Sequence, residues 1–387
     1  MSKVIVELSE LCEIITKGTT PSNIGAVFTE KGIKYFRSEM LTSAKYISDE
    51  GLLYISEETH EKLKRSQLKP GDILFSMAGV YLGKTAILRE CDTPANTNQA
   101  VALIRIEPEK CNREYVYYYL NLPEVVKSVN SITGQSAQPN INLKQIGNIQ
   151  IKLPERSVQD AVVSILSTYD SLIENNQKQT KLLEEAAQRL YKEWFVDLRF
   201  PGYETTPIVD GVPEGWTWGT LADIAVFRRG KTITKDQVNS GIIPVVAGGL
   251  EPAYYHDTPN TDVPVVTVSG SGANAGFTRM YHTKVWASDC SYIDAAVTKN
   301  IAWVYCFLKE NKASIDAMQK GAAQPHVYAK DLNAMKALFP DDKLMERFRA
   351  IAEPMFTRIG KLDMQIKRLA EARDRLLPKL MNGEMEV

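Results

Sequence analysis

The chain is poor in the groups that mark most enzymes. It holds four His and five Cys in 387 residues. Cys12, Cys91, Cys111, Cys290 and Cys306 are odd in number, with no Cys-x-x-Cys and no His/Cys pair at metal spacing. That argues against a zinc module or a disulfide framework and for reduced, mostly buried thiols. His60, His256, His282 and His326 are scattered, without a Cys, Ser or carboxylate partner at motif spacing. No apolar run approaches the roughly 20 residues that span a bilayer. The start, Met1-Ser2-Lys3-Val4-Ile5-Val6-Glu7, has no export signal. A cytoplasmic protein without a membrane partner is therefore expected. An excess of one charge is missing too: 46 Lys+Arg face 47 Asp+Glu. Such balance removes the simplest argument for a nucleic-acid partner, a globally basic surface. What is present, 44% hydrophobic and 24% charged residues, excludes disorder, and the length suits two or three domains.

The chain is written twice. Gly134-Gln135-Ser136-Ala137-Gln138-Pro139 leads through Asn140-Ile141-Asn142-Leu143-Lys144 to Leu153-Pro154. Lys320-Gly321-Ala322-Ala323-Gln324-Pro325 leads through His326-Val327-Tyr328-Ala329-Lys330 to Phe339-Pro340. The offset from Gln138 to Gln324 is 324 − 138 = 186, and Pro154 to Pro340 gives the same. Beyond the proline that offset pairs Ile165 with Ile351, Gln179 with Gln365 and Arg189-Leu190 with Arg375-Leu376. Upstream the match loosens, but Leu11-x-Glu13-Ile14 before Lys17-Gly18 resembles Leu221-x-Asp223-Ile224 before Arg229-Gly230. One long repeat makes each half a β-rich unit followed by a long helix.

Short β-branched or apolar runs bounded by turn residues predict strands at 72–76, 100–104, 149–151 and 263–268; residues 114–121 and 300–308 read as short helices, with an aromatic strand the alternative for Tyr117-Tyr118-Tyr119. Residues 157–194 and 343–380 carry a different pattern. Val158, Val162, Ile165, Tyr169, Leu172, Leu183, Ala186 and Leu190 fall on steps of four and three, and Leu344, Phe348, Ile351, Met355, Leu362, Leu369, Ala372 and Leu376 repeat it. Two such seams predict an intramolecular helix pair; the alternative is that each helix packs only on its own domain. In an antiparallel pair Gln179 should face Gln365, forming with Asn176 a polar layer that fixes register. Pro354 predicts a bend. The Pro-, Gly- and acid-rich stretch from Phe200 to Gly215 reads as a linker. The expected fold is thus α+β: two pseudo-symmetric β-rich domains separated by two long antiparallel helices that form a coiled-coil-like spacer. The segments are 1–154, the central helix 155–196, the linker 197–216, the second domain 217–340, and the distal helix and tail 341–387.

Two glycine-rich stretches imitate nucleotide sites. Gly79-Val80-Tyr81-Leu82-Gly83-Lys84-Thr85 has one residue too few between its glycines for a phosphate-binding loop. Gly270-Ser271-Gly272-Ala273-Asn274-Ala275-Gly276 precedes a strand pattern, so no helix N-terminus waits for a pyrophosphate. Both read as one glycine-bearing hairpin used twice. With no methyltransferase Asn-Pro-Pro-aromatic motif either, the residues point to a binding protein. Two similar domains on stiff helices suit a bipartite ligand. Double-helical DNA is one, its major-groove faces recurring every ~34–36 Å, while a helix of ~38 residues spans ~57 Å.

Gly134 through Gln138-Pro139-Asn140-Ile141-Asn142-Leu143, then Ile151-x-Leu153-Pro154, then Ile173-Glu174-Asn175-Asn176 and Leu190-Tyr191-Lys192-Glu193-Trp194-Phe195 resemble the first target-recognition domain and central conserved region of type I restriction-modification specificity subunits. Val212-Pro213-Glu214-Gly215-Trp216 resembles the entry to that family's second recognition domain, and Leu369 to Glu384 its distal conserved region. The resemblance covers essentially the whole chain. It implies a subunit without catalysis of its own and without a cofactor. Each recognition domain would read one half of a bipartite site on double-stranded DNA. The helices would set the spacer and dock two DNA methyltransferase (M) subunits. Those subunits would bind S-adenosylmethionine and methylate adenine N6, and restriction (R) motor-nuclease subunits are an optional addition.

Base readout needs donors and acceptors on loops, oriented by Arg and Lys on phosphates. The first domain nominates Lys17, Thr19, Thr20, Ser76, Lys84, Asn96, Asn98, Gln99, Gln135 and Gln138. The second nominates Arg228, Arg229, Lys231, Ser269, Ser271, Asn274, Arg279 and Gln324. Against this, Asn, Ser and Gln beside Gly or Pro are commonly turn formers. The rival reading is a non-catalytic two-domain protein-interaction scaffold; a nucleotide-dependent enzyme comes third. Because the charge is balanced segment by segment, the isolated chain is expected to bind DNA weakly.

Overall fold

The computed structural model describes residues 4–42, 44–49, 51–132, 139–319 and 325–387. The first part of the chain runs β1 (Val4–Glu7), β2 (Cys12–Lys17), β3 (Ile33–Phe36), β4 (Leu53–Ile55), α1 (Glu57–Lys62), β5 (Ile73–Ser76), β6 (Thr85–Ile87), β7 (Ala95–Thr97) and β8 (Val101–Ile106). Helices α2 (Arg113–Leu120), α3 (Pro123–Ile132) and α4 (Leu143–Gly147), strand β9 (Gln150–Leu153) and the long α5 (Arg156–Tyr191) follow. After the short hairpin β10 (Ile208–Val209) and β11 (Val212–Pro213) come β12 (Thr217–Thr220), β13 (Arg228–Arg229), β14 (Ile243–Val246), β15 (Tyr254–His256), β16 (Val265–Ser269), β17 (Thr278–Tyr281), β18 (Trp286–Ala287) and β19 (Cys290–Asp294). Helices α6 (Ile301–Glu310), α7 (Lys312–Ala317) and α8 (Ala329–Asn333), strand β20 (Lys336–Phe339) and the long α9 (Asp342–Asn382) complete it.

Contacts divide the chain into two units, Met1–Ile173 with Arg368–Val387, and Glu174–Lys367. Each takes part of α5 and part of α9, and the two share a topology. The first has a four-stranded sheet β2-β8-β5-β6, a three-stranded sheet β4-β3-β7 and the pair β1-β9. The second answers with β13-β19-β16-β17, β15-β14-β18 and β12-β20. Even the one parallel pairing recurs, β3 with β7 and β14 with β18. The glycine loops are the expected twin hairpins. Gly79 and Gly83 between β5 and β6 adopt φ of 68° and 79°, Gly272 and Gly276 between β16 and β17 adopt 77° and 84°, and a side chain would be strained at all four. One difference stands out: residues 37–52 join β3 to β4, whereas only 247–253 join β14 to β15.

Within each unit the long helices lie antiparallel. In the first, Val162 and Leu166 of α5 and Leu377, Leu380 and Met381 of α9 close the core formed by Ile73, Phe75, Ile104, Tyr115 and Tyr119. In the second, Tyr191, Trp194 and Phe195 meet Phe348 of α9 and Trp303 of α6 through edge-to-face ring contacts at 5.1–6.2 Å. The buried stripe on α5 includes Val162 and Asn176 of the expected seam, while Leu166, Asp170, Ala187 and Tyr191 stand one residue on from Ile165, Tyr169, Ala186 and Leu190. Ile165 is 37% exposed, Leu172 45% and Ile351 42%. The seam holds in part, with Leu344, Phe348 and Leu362 of α9 also buried, and shifts elsewhere because each helix also packs on its own domain. Steps of four, as in Leu344, Phe348, Ala352 and Phe356, turn a broad face between two partners.

The polar layer is likewise displaced. Gln365 accepts from Asn176 Nδ2 at 3.5 Å, so Asn176, about a turn before the expected Gln179, is its partner. A second, charged layer lies in the first unit. Asp170 of α5 accepts from Arg373 Nη1 of α9 at 2.7 Å and from the Tyr118 hydroxyl, with Lys45 Nζ 3.8 Å away. Lys45 also reaches Glu114 at 2.7 Å and Tyr118 Oη at 3.0 Å. Its side chain is 2% exposed. Burial and the Asp170 carboxylate push the Tyr118 phenol well above its ordinary range, so it remains a donor.

Helix α9 continues through Pro354 without a break. Pro354 and Ala350, whose carbonyl loses its partner, are both exposed, so water can satisfy it. Helix α5 passes into a wider turn, Asp197 N–H donating to Lys192 O at 2.8 Å, which aims Trp194 and Phe195 inward. The linker is partly ordered by its small hairpin and by the Phe200 ring, tilted 39° to Trp216 with centroids 5.0 Å apart. All five thiols are free. Burial pushes Cys12 and Cys290 up to about 12 and Cys111 to about 11, and raises Cys306 as well, so these four stay protonated. Among the described residues no helix is long and apolar enough to cross a membrane, and no His, Cys, Asp and Glu group could hold a metal ion.

Candidate nucleic-acid interface

Each unit folds the segment after its Gln-Pro step back across the start of its glycine hairpin. Pro139 O accepts from Gly79 N, and Ile141 N donates to Met77 O at 2.9 Å. In the second unit Pro325 O accepts from Gly272 N, and Val327 N donates to Gly270 O, both at 3.1 Å. The bridges Ala78–Asn140 and Ser271–His326 complete the match. Beside this frame runs the end of β2 or β13, carrying Lys17 or Arg229. The next residue must be glycine: a Cβ on Gly18 would stand 1.7 Å from Thr97 O, and one on Gly230 2.2 Å from Ser288 O. The chain can thus turn out of the strand only by brushing a neighbouring backbone.

Two crevices result. The first, about 570 Å³, is lined by Lys17, Gln99, Asn140 and Lys144 over Met77 and Ile141. The second, about 30 Å³, is lined by Arg229, Asp289, Ser291, His326 and Tyr328 over Val327. Larger side chains close it down, His326 and Tyr328 stacking at 5.8 Å and 14°. Each crevice has an apolar floor, a cation and several donors and acceptors, with the Asp289 carboxylate an added member of the second. Asn140, Lys144, His326 and Tyr328 were not among the nominated residues. The 186-residue offset could have found them, since it pairs Asn140 with His326 and Lys144 with Lys330.

The nominated residues separate into groups. Lys17, Lys84, Gln99, Arg228, Arg229 and Lys231 are exposed. Thr20 donates to Gln99 Oε1, and Arg65 donates to Thr19 Oγ1 at 3.3 Å, which ties those loops to the crevice rim. Lys231 lies over the Trp286 ring, whose N–H donates to Lys231 O. Others are structural. Asn96 is fully buried, giving Nδ2 to Leu63 O and Ser66 Oγ and meeting His60 through Oδ1; it cannot reach a ligand from there. Ser76 is 0% and Ser269 3% exposed, beneath the hairpins rather than on them. Asn98 closes its own turn on Ala100 N, Ser271 donates to Asp289, and Arg279 is held by Leu250 O and the Tyr281 ring. Asn274 is half-buried in its turn. Gln135, Gln138 and Gln324 lie outside the described residues. Alternation and loop position nominated these polar residues; which of them point inward follows from the sheet stacking.

Residues 2–185 match the model of the type I restriction modification DNA specificity domain. The chain is 24% identical to the type I restriction enzyme MjaIX specificity subunit of Methanocaldococcus jannaschii, over 96% of this chain and 91% of that protein. Residues 2–185 belong to the type I restriction modification DNA specificity domain family. The HindI specificity subunit of Haemophilus influenzae is 20% identical over 64% of this chain and 71% of its own. In fold, the specificity subunit resembles the crystal structure of the type I S subunit from M. genitalium, with a TM-score of 0.60 and 16% identity, covering 98% and 96% of the two chains. The α+β fold of the chain is therefore that of the M. genitalium S subunit.

Proposed function

We propose that this specificity subunit recognises a bipartite site on double-stranded DNA, one half per recognition domain, through the twin crevices. The observation that carries the reading is one backbone frame built twice and lined by different side chains. A cation sits at the same place, Lys17 or Arg229, to hold a phosphate. Gln99 and Asn140 offer amide pairs, which match adenine in the major groove; the His326 ring offers a donor for a guanine acceptor. The two half-sites would therefore differ.

Helices α5 and α9 would set the spacer and dock two methyltransferase subunits. Supporting this are Ile165 and Ile351, repeat mates that are both exposed on their helices, as two equivalent contacts for two copies of one partner require. The partner subunits would bind S-adenosylmethionine and methylate adenine N6, and motor-nuclease subunits would add cleavage. The test is co-expression with the methyltransferase followed by sequencing of modified bases. One split motif is expected, and Gln99→Ala should relax one half of it while His326→Ala relaxes the other. A continuous motif, or none, refutes the proposal.

A further inference from the structure

The first unit covers the outer edge of β6 with its own chain. Residues 44–49 bring Lys45 alongside, and the Ile87 N–H donates to Lys45 O at 3.0 Å. Tyr46 lies under the Arg89 guanidinium at 4.8 Å, and Arg89 Nη2 reaches Ile47 O at 3.5 Å. The Lys45 side chain drops between Glu114, Tyr118 and Asp170. This strap fills the space between sheet edge and long helix.

The second unit repeats the edge and omits the strap, because residues 247–253 are too few to reach it. Strand β17 is the outer strand of its sheet. By the sheet alignment Met280 takes the place of Ile87 and His282 that of Arg89; by the repeat offset Phe356 takes the place of Asp170. Where the strap would lie is a cavity of about 380 Å³. Met280 stands opposite Val266 as Ile87 stands opposite Ile73. In that alternation its N–H points away from the sheet, and among the described residues it meets no acceptor. Met280 and Phe356 supply an apolar floor. Exposed Lys299 and Lys361 and half-buried Arg349 stand around it with one carboxylate, Glu353.

We infer that this cavity is a socket for the methyltransferase partner. A strand-like segment of that subunit pairs with the free edge of β17, lays an apolar side chain on Met280 and Phe356, and sets a carboxylate beside Lys299 and Lys361. The identity of the partner rests on the reading under Proposed function; the chemistry of its segment rests on the cavity. Strand addition satisfies the Met280 N–H as Lys45 satisfies Ile87. The excess of cations selects an acidic segment, the reverse of the lysine-bearing strap, because Phe356 has replaced Asp170. With the first edge already covered, the two methyltransferase copies are held unequally.

The test uses the full chain and the full methyltransferase. Lys299→Glu/Lys361→Glu alters only exposed side chains, and Lys336→Glu, exposed on β20, is the control. Titration should show one of the two copies bound about tenfold or more weakly by the double variant and unchanged by the control. Hydrogen exchange should show the Met280–His282 amides protected when the wild type binds. Both results together support the socket. Unchanged affinity, or weakened affinity without protection, overturns it while leaving the functional reading standing. A wild type that binds no methyltransferase overturns both.

Discussion

Replacing Asp170 by Leu isolates the worth of the charged layer between α5 and α9. The carboxylate accepts from Arg373 at 2.7 Å and from Tyr118 and faces Lys45 at 3.8 Å, and its own side chain is 4% exposed. Leucine fits the volume but takes the shared carboxylate from two buried cations, leaving Arg373, at 16% side-chain exposure, with Asp374 at 2.8 Å and Lys45, at 2%, with Glu114. Breaking a buried pair on one side costs about 3–5 kcal/mol, whereas removing both partners for apolar residues is often nearly neutral. Asp170→Leu should therefore lose ~4 kcal/mol. Asp170→Leu/Arg373→Leu should recover ~2 kcal/mol or more of that, since Lys45 keeps Glu114 at 2.7 Å. With a urea slope of roughly 3 kcal/mol/M, the single variant's midpoint falls by ~1.3 M. The assay is urea unfolding followed by far-UV circular dichroism beside tryptophan fluorescence. All five tryptophans, Trp194, Trp216, Trp218, Trp286 and Trp303, belong to the second unit, so dichroism registers the first-unit loss that fluorescence does not report directly. A single variant within ~1 kcal/mol of wild type, or a double variant no better than the single, refutes the reasoning.

Three further outcomes follow from the same geometry. Arg228→Ala/Arg229→Ala removes two exposed cations beside the second crevice; if both sit on phosphates, the slope of log K against log salt should shrink by about 1.8, read by binding titrations at several salt concentrations. Ile165→Glu or Ile351→Glu should each reduce a complex with two methyltransferase copies toward one copy, measured as complex mass, with the chain's own melting unchanged because both sites are exposed. His282 is held down to about 4 by burial. The unfolded chain then binds more protons between pH 6.5 and 4, so stability is full above pH 6.5 and falls as pH drops through that window. The loss is at most ~3 kcal/mol, and His282→Leu should flatten this part of the denaturation profile.

Much of the fold was legible in the residues. The 186-residue offset revealed the duplication, Gly79-Gly83 and Gly272-Gly276 the twin hairpins, and the apolar periodicity both long helices. These are local or repeated signals, and backbone geometry reads them directly. The site was legible in kind and less so in detail. Lys17, Gln99 and Arg229 stand at the crevices as nominated, but Asn96 and Ser76 face inward. A polar residue in a strand pattern has an even chance of facing either way until the sheets are stacked.

The sequence alone determined the duplicated α+β architecture, the helical segments and the absence of familiar catalytic motifs, because each is written in spacing and composition along the chain. Only the tertiary structure decided the partial shift of the helix seam, the Asn176–Gln365 pairing and the burial of Asp170 between Lys45 and Arg373. It alone opened a cavity beside β17 where the first unit has a strap. Those depend on which faces compete for the same helix, and on whether a loop is long enough to reach an edge. Both are questions of distance in space rather than order in the chain.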